Sequence, residues 1–267
     1  MNIVILNDTS LQNHFGCELV MRTFKEQLER INFKIIKTIP THIIDISIPK
    51  NTDLVIVNGE GTIHHGAGSH LIQCVNKYND IPFVLLNAVW QDNPVYDVLY
   101  KFKYICVRES YSFKCLPNDL DNVEIVPDII FASNFVRQIK KTLSNEKSHK
   151  DIGITDNVVT TSNFNISSRT SAINFIRNIS QYKRICCGRH HGVAIASMLE
   201  KPFSAWPSNT HKIEGMMKDM NILDLHFNSQ SEALLSIPKE FDPCIRDYVA
   251  RANLKIESMF NKLNKII

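Results

Sequence analysis

At 267 residues, with 44% hydrophobic and 21% charged side chains, the chain can bury a substantial core as one large domain or two compact lobes, which excludes disorder as its default state. Its formal net charge of +3 is carried by scattered lysines and arginines, so no nucleic-acid footprint is present, although a local anion site is still allowed. Eighteen consecutive apolar residues occur nowhere, and Asn2 opens a strand-like run without a basic leader, which predicts a protein without a transmembrane segment.

Taken in chain order, Ile3 to Leu6 form the first short apolar run. A helix is expected from about Gly16, because Val20, Phe24, Leu28 and Ile31 make one apolar stripe. Further runs follow at Leu54 to Val57, Phe83 to Leu86, Tyr104 to Val107 and Val123 to Val126, spaced widely enough for helices between them. Such alternation predicts parallel strands buried on both faces. The polar stretch Ser144 to Lys150 has no periodicity and reads as a link. Beyond it, strands are expected at Ile152 to Ile154, Ile185 to Cys187 and Phe203 to Ala205, with helices over Ser171 to Tyr182 and Gly192 to Glu200. From Asp242 onward, Ile245, Val249, Ala252, Ile256, Met259, Leu263 and Ile267 recur at spacings of three and four, the mark of a long amphipathic helix.

The seven cysteines are odd in number and form no C-x-x-C pair, so they read as small core hydrophobes of a cytoplasmic, reducing compartment.

Ligands of open α/β sheets bind beyond the carboxyl ends of the strands, and the residues there are polar. His14 to Cys17 follow the first run, and Asn58-Gly59-Glu60-Gly61-Thr62 follows the second with His64 and His65 just beyond. Gly59 and Gly61 allow close backbone approach while Glu60 projects a carboxylate; a tight turn with a solvated Glu is the plain alternative. Neighbouring histidines diverge and nothing completes a ligand set around His64 and His65, so hydrogen bonding to substrate is expected there and no metal. Arg108 follows the fourth run. Asp128, after the stiffening Pro127, either presents a fixed carboxylate or caps a helix. Gly188-Arg189-His190-His191-Gly192 sits at a strand-to-helix junction with the guanidinium and helix-start amides that an anion needs, unless Arg189 is a structural ion pair. The loop Ser208-Asn209-Thr210-His211-Lys212 offers more donors to the same anion. No dinucleotide fingerprint, P-loop or G-x-S-x-G elbow occurs, which removes oxidoreductase, NTPase and serine-hydrolase readings.

The order of these motifs resembles the polysaccharide pyruvyl transferase superfamily. The matching residues are Asn13 to Cys17, Asn58 to Thr62, an R-[DE]-x-x-S element at Arg108 to Ser112, Pro127-Asp128, and R-x-H-G at Arg189 to Gly192 with Lys201-Pro202 and Lys212 behind it. The added carboxylate in Asn58-Gly59-Glu60-Gly61 is also similar to GT-B-like retaining glycosyltransferases that move Kdo from CMP-Kdo. The resemblance implies an α/β fold of two Rossmann-like, GT-B-like lobes: residues 1–146 on the acceptor side, and residues 147–267 on the donor side with the terminal helix.

It also implies a transferase of bacterial-type surface polysaccharide biosynthesis. The leading expectation is transfer of a Kdo-type 2-ulosonic acid from a CMP-activated donor to a glycan acceptor. Pyruvyl transfer from phosphoenolpyruvate is the alternative, and a non-catalytic glycan-binding lobe the second. Under these readings Glu60, Asp128 and His191 are catalytic, with Asp128 as nucleophile and Glu60 as proton carrier. Arg108, Gly188, Arg189, His190, Ser208, Asn209, Thr210, His211 and Lys212 bind the donor, while His14, Asn58, Thr62, His64 and His65 bind the acceptor. No cofactor, metal or nucleic acid is expected, and peripheral membrane association is compatible with the sequence.

Overall fold

The computed structural model describes residues 1–94, 97–159 and 163–266. Its first part alternates strands and helices: β1 (Asn2–Asp8), α1 (Phe15–Arg30), β2 (Lys34–Pro40), β3 (Leu54–Glu60), α2 (Ser69–Gln73), β4 (Phe83–Ala88), β5 (Tyr104–Val107), α3 (Ser110–Lys114), β6 (Val123–Ile125) and α4 (Asn134–Thr142). The second part continues with β7 (Lys150–Ile154), α5 (Ala172–Ser180), β8 (Tyr182–Cys187), α6 (His190–Met198), β9 (Phe203–Ala205), α7 (Lys212–Asp219), α8 (Gln230–Leu235) and α9 (Pro243–Leu263).

The strands form two parallel sheets, one of six strands in the order β2-β1-β3-β4-β5-β6 and one of three in the order β7-β8-β9. Every residue of β3 and β4 is buried. The period of two then divides them cleanly: Ile3, Ile5, Leu54, Ile56, Val84 and Leu86 face one apolar cluster, and Val4, Leu6, Val55, Val57, Phe83 and Leu85 face another. β2 escaped the sequence reading because it is an edge strand in which lysines interrupt the apolar run and only Ile39 is buried.

Two sheets are present as expected, but they share a core. The first cluster runs without interruption from α1 and β1 through Phe175, Ile185 and Val193 to Phe260 and Leu263. Phe15 of α1 stacks on Phe175 of α5, the Phe15 amide donates to the Ser168 carbonyl, and Glu18 accepts from the Ala172 amide. The stripe on α9 is buried at Ile245, Ala252, Ile256, Met259 and Leu263, with Ile267 outside the described residues. Its partner surface belongs to both parts: Phe260 meets Phe24 of α1, Tyr248 meets Phe131 in the 3-10 turn after Asp128, and α9 also touches α6. No helix among the described residues is long and apolar enough to cross a membrane.

Candidate active site

The order of the large sheet reverses between β1 and β3, and a crevice opens at such a switch point. Three residues at the strand ends there adopt positive φ: Asn7 at 66°, Glu60 at 37° and Asn87 at 59°. For Glu60 this is a backbone conformation that L side chains avoid, held by its surroundings and turning the carboxylate out of the sheet. Gly59 makes the turn feasible, since a Cβ there would lie 2.4 Å from the Ala88 Cβ. Across the crevice, Thr9 donates to Glu60 Oε2 at 2.5 Å, and the Cys17 thiol donates to Oε1 at 3.2 Å. Burial and the neighbouring Glu60 carboxylate push the Cys17 thiol upward, so it stays a neutral donor.

The opposite wall comes from the start of α6. Arg189 occupies its N-cap with no side chain capping the first amides, leaving them for a ligand. Arg189 is held by Asp156, at 2.8 Å, and Asp156 is itself fixed by the Ser168 amide and hydroxyl. Lys212, at the start of α7, reaches the same space. It is 8% exposed and hydrogen-bonds Asn209 Oδ1. Burial, then the charges of Arg108 and Arg189, lower its pKa to about 7 against the pull of Glu60. The resulting cavity of about 280 Å³ is lined by Thr9, Gln12, His14, Cys17, Glu60, Gly61 and Thr62 on one side. Arg108 forms its floor, and Val158, Arg189, His190, His191, Ser208, Asn209 and Lys212 face them.

Beneath this cavity lies a charged hub. Asp128, with a fully buried side chain, accepts from Arg108 at 2.6 Å on one oxygen, and His190 Nε2 and His191 Nε2 lie 3.2 and 3.3 Å from that same oxygen. Its other oxygen caps the following 3-10 turn through the Ile130 amide. Burial alone would raise this carboxyl, but Arg108 and then the two imidazoles hold it well below the usual carboxylate range. Arg108 also donates to the Glu60 carbonyl at 3.1 Å, tying the hub to the strained strand end. His190 is lowered to about 3 by burial and then by Arg108; as a neutral ring it donates either to Asp128 or to the Lys212 carbonyl, 3.3 Å from Nδ1. Asp128, His190 and His191 lie close enough to hold a metal ion. Arg108 already supplies the positive charge at the shared oxygen, so a second cation there would meet direct repulsion.

The two walls are interlocked. His14 caps α1 by accepting from the Gly16 amide at 3.1 Å, which needs a neutral ring; burial, then His191 and Arg189, lower it to about 3. Gly16 itself leaves room for His191, whose Nδ1 would lie 1.9 Å from a Cβ at that position.

The expected residues therefore separate. Glu60, Arg108, His14, Thr62, Arg189, His190, His191, Ser208, Asn209 and Lys212 gather at the cavity. Asp128 lies behind its wall and is unavailable as a nucleophile, because its side chain is 0% exposed and both oxygens are engaged. Asn58 is a fully buried strut whose carbonyl accepts from Asn7. Gly188 serves packing: a Cβ there would lie 2.4 Å from Trp206. Thr210 is buried off the cavity, and His211 turns away to Glu109 and Ser112. His64 does not line the cavity but touches its rim through Asn209 and the Gly61 backbone, and His65 pairs with Asp92. Thr9, Gln12, Cys17 and Val158 also line the cavity, beyond the residues the sequence points to, and so does Gly61, whose close-approach position the sequence does show. Thr9 and Gly61 directly follow strands, a signal already visible, whereas Val158 belongs to a loop with no motif.

In the R-[DE]-x-x-S element only Arg108 faces the cavity. Glu109 caps α3 through the Tyr111 and Ser112 amides, and a Cβ at Gly215 of α7 would lie 2.2 Å from its carboxylate. The element thus fixes the distance between Arg108 and Lys212.

The parallel α/β scaffold thus carries a cationic pocket at its strand ends, with the Glu60 carboxylate lining it. A family model described as polysaccharide pyruvyl transferase matches residues 4–205, and the chain belongs to that family of transferases. A solved structure of a functionally uncharacterized protein from Klebsiella pneumoniae subsp. pneumoniae shares the fold, with a TM-score of 0.60, 17% identity, and coverage of 85% of this chain and 93% of that one. No protein with a curated description matches the chain.

Proposed function

We propose that this protein transfers the three-carbon unit of phosphoenolpyruvate to two hydroxyls of a surface glycan, forming a cyclic ketal and releasing phosphate. The observation that carries this reading is the pairing, in a cavity of only about 280 Å³, of Arg189, Lys212 and the uncapped α6 start with the Glu60 carboxylate opposite. Pockets for larger ligands span roughly 300–1,000 Å³. A compact acid phosphate suits this space better than a nucleotide sugar. A CMP-activated ulosonate reacting by double displacement would also ask for two reachable carboxylates, and Asp128 is sealed behind the wall.

In the proposed reaction both hydroxyl oxygens bond to the central carbon of the donor as its bond to the phosphate oxygen breaks. Of the two hydroxyl protons, one ends on the methylene carbon and the other leaves with phosphate. Glu60 takes the first proton from the acceptor. Arg189, the α6 amides and protonated Lys212 hold phosphate and carboxylate, and His191, backed by Asp128, faces the reacting carbon. Residues 1–146 supply the acceptor side and residues 147–267 the donor side. We place the reaction in the cytoplasm, where the seven free thiols would persist.

The test is phosphate release from phosphoenolpyruvate with a panel of p-nitrophenyl hexosides, read together with mass spectrometry for a ketal on the sugar. A parallel arm uses CMP-Kdo and reads CMP. Release of CMP with a glycosylated sugar, and no phosphate in the first arm, would replace this reading with ulosonate transfer.

A further inference from the structure

The last strand of the large sheet, β6, is an edge, and one side of α9 runs beside it. Between them lie three cavities of about 250, 490 and 410 Å³. The first two share Ile125 and Lys255, and the last two share Val123, Glu124 and Lys262, so together they form one groove. The Ile105 amide donates to the Asn122 carbonyl and the Val126 amide to the Val107 carbonyl, which turns the intervening Val123 and Ile125 backbone groups outward. Lys255 Nζ approaches the Ile125 carbonyl at 3.5 Å.

Three features there ask for a ligand. Tyr248 is 5% exposed and lines the first cavity, yet its hydroxyl has no hydrogen-bond partner. Phe113, which lines the second cavity, is 43% exposed, so part of its aromatic ring is open to solvent. Arg251 and Lys255, both exposed at successive turns of α9, have no carboxylate partner among the described residues. The acids nearby are engaged: Glu124 accepts from Lys262 and from Tyr104, and Asp219 accepts from the Ser110 amide. Asp121 lies at the far end, in the third cavity.

We propose that this groove binds an anionic glycan chain, a carboxylate-bearing stretch of polysaccharide held outside the pocket while one unit is modified. The chemistry matches part by part. An exposed aromatic face suits a sugar ring, an orphan phenol a sugar hydroxyl, and two cations at helical spacing, neither in a salt bridge among the described residues, suit successive carboxylates. An acidic peptide would use the strand edge and the cations but would leave the buried Tyr248 hydroxyl unexplained. The inference rests on the pyruvyl-transfer reading, since every ketal formed leaves a carboxylate on the chain and so makes the product anionic.

The experiment is calorimetric titration of the full chain with oligogalacturonate, with neutral maltohexaose and hexaglutamate as controls and phosphoenolpyruvate titrated separately. Oligogalacturonate is expected to bind and maltohexaose not. The Arg251→Ala/Lys255→Ala double variant should lose about tenfold in affinity or more, and Tyr248→Phe, which keeps the ring packed on Phe131, about threefold. Phosphoenolpyruvate affinity should be unchanged in both variants. Absence of oligogalacturonate binding, equal affinity in the double variant, or tighter binding of hexaglutamate would each overturn the proposal. Oligogalacturonate binding that depends on these residues, in a protein that ignores phosphoenolpyruvate, would uphold the groove and sink the donor reading instead.

Discussion

Glu60 and Asp128 both stand at or just beyond the carboxyl ends of parallel strands, yet they are built differently. Glu60 lines the cavity and receives one neutral donor on each oxygen, Thr9 and Cys17. Asp128 is sealed beneath it, bonded by a guanidinium on one oxygen, with two imidazole nitrogens within 3.3 Å of that oxygen, and by a backbone amide on the other. A carboxylate held by neutral donors at the pocket surface is placed to exchange a proton with an acceptor. One buried against Arg108 is kept ionised, and under the proposed reaction it orients the groups above it. The sequence presents the two as a matched pair. Their surroundings make one a candidate proton carrier and the other a positioning residue.

The largest effect expected from this contrast is on turnover. Glu60→Gln keeps shape and should lower kcat by about 10²–10⁴-fold, the range for loss of a general base, while the melting temperature barely moves. Ketal formation near the wild-type rate in that variant would make Glu60 structural. Asp128→Asn should do the reverse in emphasis: it leaves Arg108 buried without its counter-charge and should cost about 3 kcal/mol or more of stability in urea unfolding. A variant as stable as the parent would show that the hub does not hold the fold.

Lys212→Ala and Arg189→Ala sharpen the comparison from the facing wall. Each should weaken phosphoenolpyruvate binding by about 1.5–3 kcal/mol in calorimetry, with folding retained, because each removes a charge-assisted hydrogen bond. Because the free enzyme holds Lys212 near 7, its ammonium form is lost as pH rises through that value, so kcat/KM for the donor should fall above about pH 7. The Lys212→Ala profile should be flat there.

A smaller effect tests the interlock. Gly16→Ala forces a Cβ into His191, and overpacking of this kind costs about 1–3 kcal/mol. Its activity loss should exceed its stability loss if His191 faces the reacting carbon. The last effect concerns acid. His14 and His190 are each lowered to about 3, while the unfolded chain protonates histidine near 6.5, so the unfolded state binds more protons between those values. Their neutral-state contribution is therefore full above about pH 6.5 and is lost as pH falls towards 3. His14→Asn should lessen the slope of the unfolding free energy over that window, leaving the share that His190 contributes.

Local pattern alone determined the strands β1 and β3 to β9, the helices α1, α5 and α6 to within a few residues, and the stripe of α9, because apolar runs and helical spacing are properties of neighbouring residues. It also located polar strand ends, and with them Glu60, Arg108, Arg189 and Lys212. Tertiary structure decided what those residues face. The edge strand β2 is not legible in the sequence because only Ile39 of its seven residues is buried and lysines break the alternation. Asp128 and His211 look like site residues in the sequence, yet they turn to Arg108 and Glu109, partners 20 and 102 positions away. Cys17 looks like core filler and becomes a donor to Glu60 only because α1 begins at the switch point where β1 and β3 part. A carboxylate's role follows from which charges surround it and whether solvent reaches it, and both are set by segments distant in the chain.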